Sequence, residues 1–535
     1  MSGEYEKLEI CNSPSLVKQL NEKSIIFTSN MEYDLTPALE QLLHKHNILL
    51  QVKYLLTEGV NAKTYFYALC TKDLIKFPDK SSSYFYVWNP ENALWEEEKR
   101  VYLKNLSLKY LIESIYITIY LIVNEIDDTS VAICKNKNSK LISTTNELKF
   151  CLLKMKDAAI SIAKIREILH SYIEYVVDPE FSESINPKGY IAVSNRQVVN
   201  LKTGEVRERT KTDYFTQEIP VKYNPNSRSN LLDNTINQIM LYDKEKINFL
   251  QEILGYSITA NCEEGKIFLF IGETRGGKSI LMNLLESTLG VFSTFLGKSV
   301  LVNTTRTSDL PDPFIAELKN KRVGIINDMG QTDIIHTGKM KNLAENEKYP
   351  FRLLFSNKIE KTVSKHVLFI TSNHKPIFPE TDDSIWQRLV LVEFKAKFVE
   401  NPEKKDEFKA DRKLRSKLES PEEKEAFLKW MIDGAVRYYQ TEKLNIPQSS
   451  LRILDEYKMF SQDENELYFQ SRLRSTEDQS DRIQSAILYS DYKNWCRNNS
   501  VKKLSSIGFA ELLSEKGVPK IKSNTYYYTN VKFKE

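Results

Sequence analysis

Residues 272–279 read Gly-Glu-Thr-Arg-Gly-Gly-Lys-Ser, which places three glycines, a lysine and a hydroxyl at the spacing of a phosphate-binding loop. The glycines allow the backbone to turn so that its N–H groups converge on an anion. Lys278 can reach the β- and γ-phosphates of a nucleotide, and the Ser279 hydroxyl can ligate Mg²⁺. The segment therefore predicts a nucleoside triphosphate site. The predicted binding residues are Gly272, Glu273, Thr274, Arg275, Gly276, Gly277, Lys278, Ser279 and Ile280.

An acidic residue is needed beside such a loop, because Mg²⁺ is held through a carboxylate on a neighbouring strand. Asp328 ends the apolar segment Lys321-Arg-Val-Gly-Ile-Ile-Asn-Asp328, about fifty residues after the loop. The residue could instead cap a turn with Met329 and Gly330. Because the spacing leaves room for one intervening helix, as a βαβ unit requires, it favours Asp328 as a metal ligand together with Ser279.

Two further polar residues stand beside apolar segments, Asn373 after one and Arg388 before another. Asn373 ends His366-Val-Leu-Phe-Ile-Thr-Ser-Asn373, where its amide could bind the γ-phosphate or orient the attacking water. Arg388 could act as an arginine finger on the nucleotide of a neighbouring subunit, which is worth ~10³- to 10⁵-fold in turnover. A surface ion pair with Asp382 or Asp383 would explain the position of Arg388 equally well. The candidate catalytic residues are Lys278, Asp328, Asn373 and Arg388.

These residues need a sheet to position them. Apolar segments at 267–271, 322–326, 366–371 and 389–394 alternate with helical patterns, as expected for a mostly parallel sheet of an α/β protein. One helical stretch, from Leu231 to about Ala260, precedes the first strand. Two short strands are predicted within 84–95, hairpins within 189–204, and helices over most of 100–175.

The C-terminal tail shows a different order of elements. Residues 487–496 and 505–513 predict two helices, and Thr525–Phe533 predicts a hairpin, which together give the order of a winged helix. From residue 501 the tail carries seven Lys and three Glu. The predicted domains are 1–80, an N-terminal extension of unknown role; 81–228, an α+β domain; 229–400, the loop-bearing core with its lead-in helices; 401–480, a charged helical connector; and 481–535, a winged-helix-like DNA-binding domain.

Composition limits the other possibilities. The net charge of +3 means that binding of a polyanion must come from local patches. The six cysteines are scattered without metal-ligand spacing, which favours a reducing compartment and argues against zinc or a disulfide framework. Residues Tyr110–Val123 are apolar but too short to span a bilayer and include Glu113, so they predict a buried amphipathic helix. We expect a soluble, intracellular protein with no membrane partner.

The order of these motifs resembles the superfamily 3 helicases, and more narrowly the poxvirus-type helicase-primase nucleoside triphosphatases and the C-terminal halves of phage and plasmid primases. The resemblance extends to Arg352 in Tyr349-Pro-Phe-Arg-Leu-Leu-Phe355, to Ile385-Trp-Gln-Arg388 and to the lead-in segment Phe249–Tyr256. With the 189–204 hairpins, the region of Trp88 and Trp95, and the tail, it covers about residues 80–535.

This resemblance implies an AAA+-like P-loop NTPase core, a mixed α+β N-terminal domain and a C-terminal winged helix. It implies a homo-hexameric ring that hydrolyses ATP with Mg²⁺ and translocates on single-stranded or forked DNA during replication of a viral or plasmid-like genome. Host cytoplasm or a viral replication site would be the location, with the nucleus left open. The family's DNA-gripping hairpin corresponds here to Arg352–Lys365, with Arg352, Lys358 and Lys361 as DNA contacts and the two lysines at its tip. Two solvated lysines in a turn are the alternative.

Two departures from the family pattern change the expectations. Relatives usually carry Glu or two acids at the strand end, where this chain has Asn327-Asp328. The chain also contains no Asp-x-Asp pair, and a polymerase-type primase needs clustered carboxylates for two metals. We therefore expect no primase activity in this polypeptide and a separate primase or polymerase as its partner.

Two alternative functions remain open. A catalytically weak ring subunit or an initiator-like DNA-binding scaffold would be compatible with Asn327-Asp328 and the basic tail. A small-molecule kinase or another metabolic P-loop enzyme would explain the glycine-rich loop, but neither the charged hairpin nor the C-terminal module.

Overall fold

The structure is a computed structural model of the 535-residue chain. It describes residues 16, 18–20, 33–57, 60–78, 80, 84–99, 106–126, 141–302, 313–330, 333–344, 348–352, 359–376, 378, 383–461, 468–469, 471–476, 478, 480–499, 503–523 and 525–534. The chain forms two compact units, one from residues 1–185 with 210–216 and the other from residues 186–209 with 217–535. The five predicted domains are a finer division than these two units and stay a prediction.

The first unit is mainly helical. Its helices are α1 (Pro37–Lys45), α2 (Leu49–Leu56), α3 (Val60–Thr71), α4 (Leu106–Asn124), α5 (Thr145–Ala159), α6 (Ile162–Val176) and α7 (Phe181–Ser184). Its strands are β1 (Asp34–Leu35), β2 (Ile75–Lys76), β3 (Tyr84–Asn89), β4 (Leu94–Lys99) and β5 (Leu141–Ile142). Strands β3 and β4 form the hairpin predicted within 84–95, with Trp88 opposite Trp95.

One hydrophobic core joins helices α1 to α6 of this unit. Helix α4 buries Ile112, Ile115 and Ile119 in it and leaves Tyr110 exposed, so the predicted amphipathic helix is confirmed. Residues of α1 to α3 share this core with α4 to α6. Helix α5 begins with a capping box in which Thr144 and Glu147 satisfy each other's backbone N–H groups. No described helix of the chain combines the length and the apolar character that a bilayer span would need.

The second unit begins with an antiparallel sheet of β6 (Tyr190–Val193), β7 (Gln197–Asn200) and β8 (Val206–Glu208), which confirms the hairpins predicted within 189–204. Arg322 connects the segment that leads into this sheet to the rest of the second unit. Its buried guanidinium Nη2 donates to the carbonyl oxygens of Asn186, Pro187 and Tyr190 at 3.0, 2.9 and 3.2 Å. Burial lowers the pKa of Arg322 to about 10, which leaves it charged at neutral pH.

A five-stranded sheet forms the centre of the second unit. Its strands are β9 (Ile267–Ile271), β10 (Ser293–Leu296), β11 (Val323–Met329), β14 (Val367–Ser372) and β15 (Leu389–Glu393). The order is β10-β11-β14-β9-β15, and every neighbouring pair is parallel. The predicted α/β class and its four parallel strands are confirmed, and β10 is an additional edge strand that the sequence did not predict.

Helices and smaller ladders surround this sheet. The helices are α8 (Asn230–Ile239), α9 (Lys244–Ser257), α10 (Lys278–Leu289), α11 (Thr337–Ala344), α12 (Asp383–Trp386), α13 (Leu414–Leu418), α14 (Pro421–Thr441) and α15 (Gln448–Ser461). The added strands are an antiparallel pair, β12 (Lys348–Arg352) with β13 (Ile359–Val363), and a parallel pair, β16 (Lys397–Val399) with β17 (Glu407–Lys409).

The single helical stretch predicted over 231–260 is wrong in one respect, because a turn divides it into α8 and α9. Leu241 and Tyr242 adopt φ of 54° and 59°, which no α-helix accommodates. Asp243 then caps α9 by accepting the N–H groups of Glu245 and Lys246.

Helix α9 crosses helix α14 at a pair of glycines. A methyl group on Gly255 would lie 2.1 Å from the Ala435 backbone nitrogen, and one on Gly434 would lie 2.0 Å from the Gln251 carbonyl oxygen. The two backbones therefore touch directly, as they can only where both helices lack a side chain.

The C-terminal module contains α16 (Ser485–Asn498), α17 (Ser506–Glu515), β18 (Leu473–Ser475), β19 (Arg482–Gln484), β20 (Lys520–Lys522), β21 (Tyr526–Thr529) and β22 (Val531–Phe533). Both predicted helices are confirmed. The predicted hairpin over Thr525–Phe533 is wrong, because β21 pairs with β19 and β20, whereas β22 pairs with β18. Only Asn530, at φ 60°, separates β21 from β22, which is too short a connection for a hairpin turn.

Candidate nucleotide site

The glycine loop, residues 272–277, follows the buried strand β9 and leads directly into helix α10. Gly277 has φ 90°, a conformation that favours glycine, immediately before the helix. A methyl group on Gly272 would lie 2.2 Å from the Phe394 carbonyl oxygen, so that position also requires glycine. The helix start directs free backbone N–H groups toward the loop, which is the arrangement that binds a phosphate.

Lys278 lies beneath the glycine loop and is buried. Its Nζ donates to the carbonyl oxygens of Gly272 and Glu273 at 2.5 and 2.9 Å, and to Oδ1 of Asn373 at 3.1 Å. Burial lowers the pKa of Lys278, while the charge of Asp328 acts in the opposite direction. The structure thus brings Lys278, Asn373 and Asp328 together, as the sequence predicted.

Asp328 lies on a bulge of β11, where the pairing with β14 shifts between Ile326 and Met329. Its φ of 56° turns the exposed side chain away from the regular strand. Thr371 fixes this bulge, because its hydroxyl donates to Asn327 Oδ1 at 3.0 Å and accepts the Asp328 N–H at 3.3 Å. This role of Thr371 was not predicted, although the residue stands two positions before Asn373 in the sequence.

The alternative role for Asp328, capping the turn at Gly330, falls to another residue. Asp333 Oδ2 accepts the Gly330 N–H at 2.8 Å. Ser372 links the two strands by donating its hydroxyl to the Met329 carbonyl oxygen at 2.6 Å. Asn373 and Asp328 therefore project from neighbouring strand ends whose spacing is fixed by Thr371 and Ser372.

The remaining predicted loop residues differ in exposure. Glu273, Thr274, Arg275 and Ser279 are exposed, Gly276 is buried, and Ile280 packs against the core. Glu273 Oε2 lies 3.2 Å from Lys397 Nζ, and the Arg275 carbonyl oxygen accepts the Phe398 N–H at 3.0 Å. Residues 394–398 thus line the outer side of the glycine loop, a contribution that only the folded chain reveals.

Arg388 lies at the amino ends of the parallel strands, whereas Lys278 lies at their carboxyl ends. It precedes β15, and its carbonyl oxygen accepts the N–H of Ile267, the first residue of β9, at 2.7 Å. The glycine loop follows the last residue of β9. Because a strand of five residues is about 16 Å long, the loop lies that far from Arg388. The Arg388 Nη1 donates to the Ser384 carbonyl oxygen at 2.7 Å. The structure therefore does not bring Arg388 to the candidate nucleotide site of its own chain.

The hairpin predicted at Arg352–Lys365 corresponds to the antiparallel strands β12 (Lys348–Arg352) and β13 (Ile359–Val363), so its predicted start is wrong by four residues. Arg352 is the last residue of β12. Lys361 pairs with Pro350 in the middle of the ladder, so its predicted place at the tip is wrong. Lys358 lies outside the described residues.

The residues present at this site fit a triphosphate and a magnesium ion. A buried ammonium group that binds two loop carbonyl oxygens and one amide has the charge and the donors that phosphate oxygens accept. Ser279 and Asp328 offer two exposed oxygen ligands, and Mg²⁺ usually binds proteins through one or two such groups, with water and phosphates as its other ligands.

The fold and site together define an α/β protein with a glycine loop at the carboxyl edge of a parallel sheet. Residues 64–255 match the family model described as "D5 N terminal like". Primase D5 of Fowlpox virus is 31% identical over 211 residues, which cover 37% of this chain and 26% of that protein. A protein of Acanthamoeba polyphaga mimivirus whose name describes it as a helicase is 24% identical over 275 residues, covering 49% of this chain and 28% of the relative.

Among solved structures, the apo C-terminal region of NrS-1 aligns over 64% of this chain and 84% of that chain, with 11% identity and a TM-score of 0.32. The matches to the two viral proteins cover little more than a quarter of each relative's length. The resemblance to poxvirus-type helicase-primase proteins is confirmed, and the chain is related to viral proteins named as helicases and as a primase.

Proposed function

We propose that this chain is an ATP-dependent replicative DNA helicase that works as a hexameric ring and translocates on single-stranded DNA. The observation that carries the proposal is the bond between Lys278 Nζ and Asn373 Oδ1 at the carboxyl ends of the adjacent strands β9 and β14. Ligands of parallel α/β sheets bind at this edge. The order β10-β11-β14-β9-β15 supports the AAA+-like class implied by the resemblance.

The site residues divide the chemistry of ATP hydrolysis among them. Lys278 would hold the β- and γ-phosphates, and Ser279 with Asp328 would hold Mg²⁺, which neutralises phosphate charge when bound. Asn373 would orient the water whose oxygen attacks the γ-phosphorus while the bond to the β-phosphate oxygen breaks. The products are ADP and inorganic phosphate.

The position of Arg388 supports a ring. Arg388 lies at the amino ends of the strands and does not reach the nucleotide of its own chain. In a ring it would face the nucleotide of a neighbouring copy. In that role Arg388 would stabilise the charge that develops on the γ-phosphoryl group. The same arrangement would make each site dependent on two subunits.

DNA contact is proposed for the β12–β13 hairpin, with Arg352, Lys358 and Lys361, and for the C-terminal module. Lysine contacts with phosphates are independent of sequence and sensitive to salt, as translocation requires. Forked DNA and a separate primase or polymerase are the proposed partners, during viral genome replication in the host cytoplasm or at a viral replication site. Because one relative is named as a primase and this chain spans a quarter of its length, the expectation of no primase activity stays a prediction.

The test is ATP turnover and strand displacement on forked DNA by the full chain and by Lys278→Ala. We expect DNA to stimulate ATP hydrolysis by the parent chain, and the variant to lose both activities. Lys443→Ala, which changes an exposed lysine just after α14, is the matched control. Strand displacement that survives Lys278→Ala would refute the proposal.

A second candidate, a catalytically weak ring subunit or an initiator-like scaffold, is favoured by one observation. The strand end offers only the carboxylate of Asp328, because its neighbour is Asn327 and the Asn327 oxygen accepts the Thr371 hydroxyl. Tight DNA binding with ATP bound but not hydrolysed would identify this function in the same experiment.

A further inference from the structure

Three aromatic side chains form a continuous group beside the glycine loop. The ring centroids of Tyr242 and Phe408 are 6.2 Å apart, and those of Phe408 and Phe398 are 5.8 Å apart. Phe398 is attached to the loop itself, because its N–H donates to the Arg275 carbonyl oxygen at 3.0 Å. The group therefore has a fixed position relative to the phosphate-binding backbone.

A second contact fixes the other end of this group. Ile239 lies against the last loop glycine, since a methyl group on Gly277 would be 2.7 Å from Ile239 Cγ1. Tyr242 follows three residues later, in the turn between α8 and α9. The turn is closed by the Tyr242 N–H, which donates to the Asn237 carbonyl oxygen at 2.7 Å.

Tyr242 combines an exposed side chain with an unusual backbone conformation. The side chain is 57% exposed, although its ring lies beside that of Phe408, tilted by 55°. Leu241 and Tyr242 both have φ in the left-handed region, which bulky residues rarely adopt. Backbone strain of this kind is frequent where a side chain is displayed to a ligand.

We propose that Tyr242 is the stacking platform for the nucleobase of the bound nucleotide, with Phe408 supporting the ring from behind. The inference deepens the proposed function and rests on it, because a base can stack on Tyr242 only if the phosphates of the same nucleotide are bound at the glycine loop. Every nucleobase presents a π-face, and stacking on an exposed aromatic ring needs no hydrogen bond to the base edge.

The experiment compares two ligands that share phosphates and differ in the base. Isothermal titration calorimetry measures binding of ATP and of inorganic tripolyphosphate, each with Mg²⁺, to the full chain. We expect Tyr242→Ala to weaken ATP binding roughly tenfold, as loss of one stacked base does, and to leave tripolyphosphate binding unchanged. Tyr242→Phe should bind ATP as the parent does, because it keeps the ring.

The control is Tyr110→Ala, which removes a tyrosine of similar exposure, 52%, from helix α4 of the first unit and should leave both affinities unchanged. Parental ATP affinity in Tyr242→Ala would overturn the inference while the proposed function stands. Equal losses for ATP and tripolyphosphate would overturn it as well, since they would show that Tyr242 maintains the loop. Failure of the parent chain to bind either ligand would refute the proposed function first.

Discussion

Lys278 carries a charged ammonium group in a buried position, and burial disfavours the charge. A buried ammonium group loses hydration, and this is the cause of its lowered pKa. The carbonyl oxygens of Gly272 and Glu273 and the amide of Asn373 replace part of that hydration without supplying a formal negative charge. The surroundings of Lys278 therefore suit the binding of an anionic ligand more than they stabilise the folded chain.

Replacement of Lys278 by Met should therefore separate binding from stability. We expect ATP affinity to fall roughly 100-fold or more, because charge-assisted bonds to phosphate are lost. The free energy of unfolding, measured by urea denaturation without nucleotide, should stay constant or rise by up to about 1 kcal/mol. Lys443→Met is the control at an exposed position. A loss of more than about 2 kcal/mol would mean that Lys278 maintains the loop.

His366, just before β14, gives the chain an acid-sensitive position. Burial lowers its pKa to about 4, from an ordinary value of about 6.5. Between these values the unfolded chain binds the proton and the folded chain does not, so stability is complete above pH 6.5 and falls as the pH is lowered toward 4.

We expect His366 to account for about 2 kcal/mol of the unfolding free energy lost between pH 7 and pH 5. His366→Gln should reduce this loss by that amount, measured by urea titrations at the two pH values. His46→Gln, which changes an exposed histidine, should leave the loss unchanged. An identical pH dependence in the parent and in His366→Gln would show that His366 does not cause it.

Among the elements, helices α9 and α14 cross with their backbones in direct contact. These helices flank the glycine-loop core, and their contact depends on the absence of side chains at Gly255 and Gly434. Helix propensity alone would favour alanine at both positions, so close packing has overridden it.

Gly434→Ala should therefore destabilise the chain, although alanine is the better helix former. The added methyl group would force the helices apart, at a cost of about 2–4 kcal/mol in the free energy of unfolding. Gly508→Ala is a control within helix α17, where the methyl group would meet its nearest neighbour at 3.6 Å and stability should rise or stay constant. Equal effects of the two changes in urea denaturation would contradict this account.

The sequence predicted those elements whose signals are local. Lys278, Asp328 and Asn373 each stand near the end of an apolar segment, and parallel strands bring such ends to one edge of a sheet. Pairing between distant strands was not predictable in this way. Strand β10 lacks a strong apolar pattern, β21 and β22 have separate partners, and Lys361 falls within a ladder whose register the sequence does not reveal.

In the molecule as a whole, Lys278 lies near the carboxyl ends of the parallel strands and Arg388 lies near their amino ends. If Arg388 acts on a neighbouring copy, each complete site takes its glycine loop from one chain and its arginine from the next. The two residues can then be inactivated in different chains of the same ring.

Mixing variants tests this arrangement. Arg388→Ala should bind ATP but not hydrolyse it, and Lys278→Ala should do neither. An equimolar mixture should recover measurable turnover, because the loop of an Arg388→Ala chain can meet the arginine of a Lys278→Ala chain. ATPase assays would be read beside native mass measurement of the mixed assemblies. Mixed rings as inactive as the separate variants would exclude a shared site.

Strand β14 has a mechanical consequence. It starts four residues after Val363, the end of the β12–β13 hairpin, and finishes one residue before Asn373. Its six residues are all buried, and it is hydrogen-bonded to parallel strands on both sides, so it is stiff along its length of about 20 Å. A force applied to the hairpin would therefore be transmitted along this strand to Asn373.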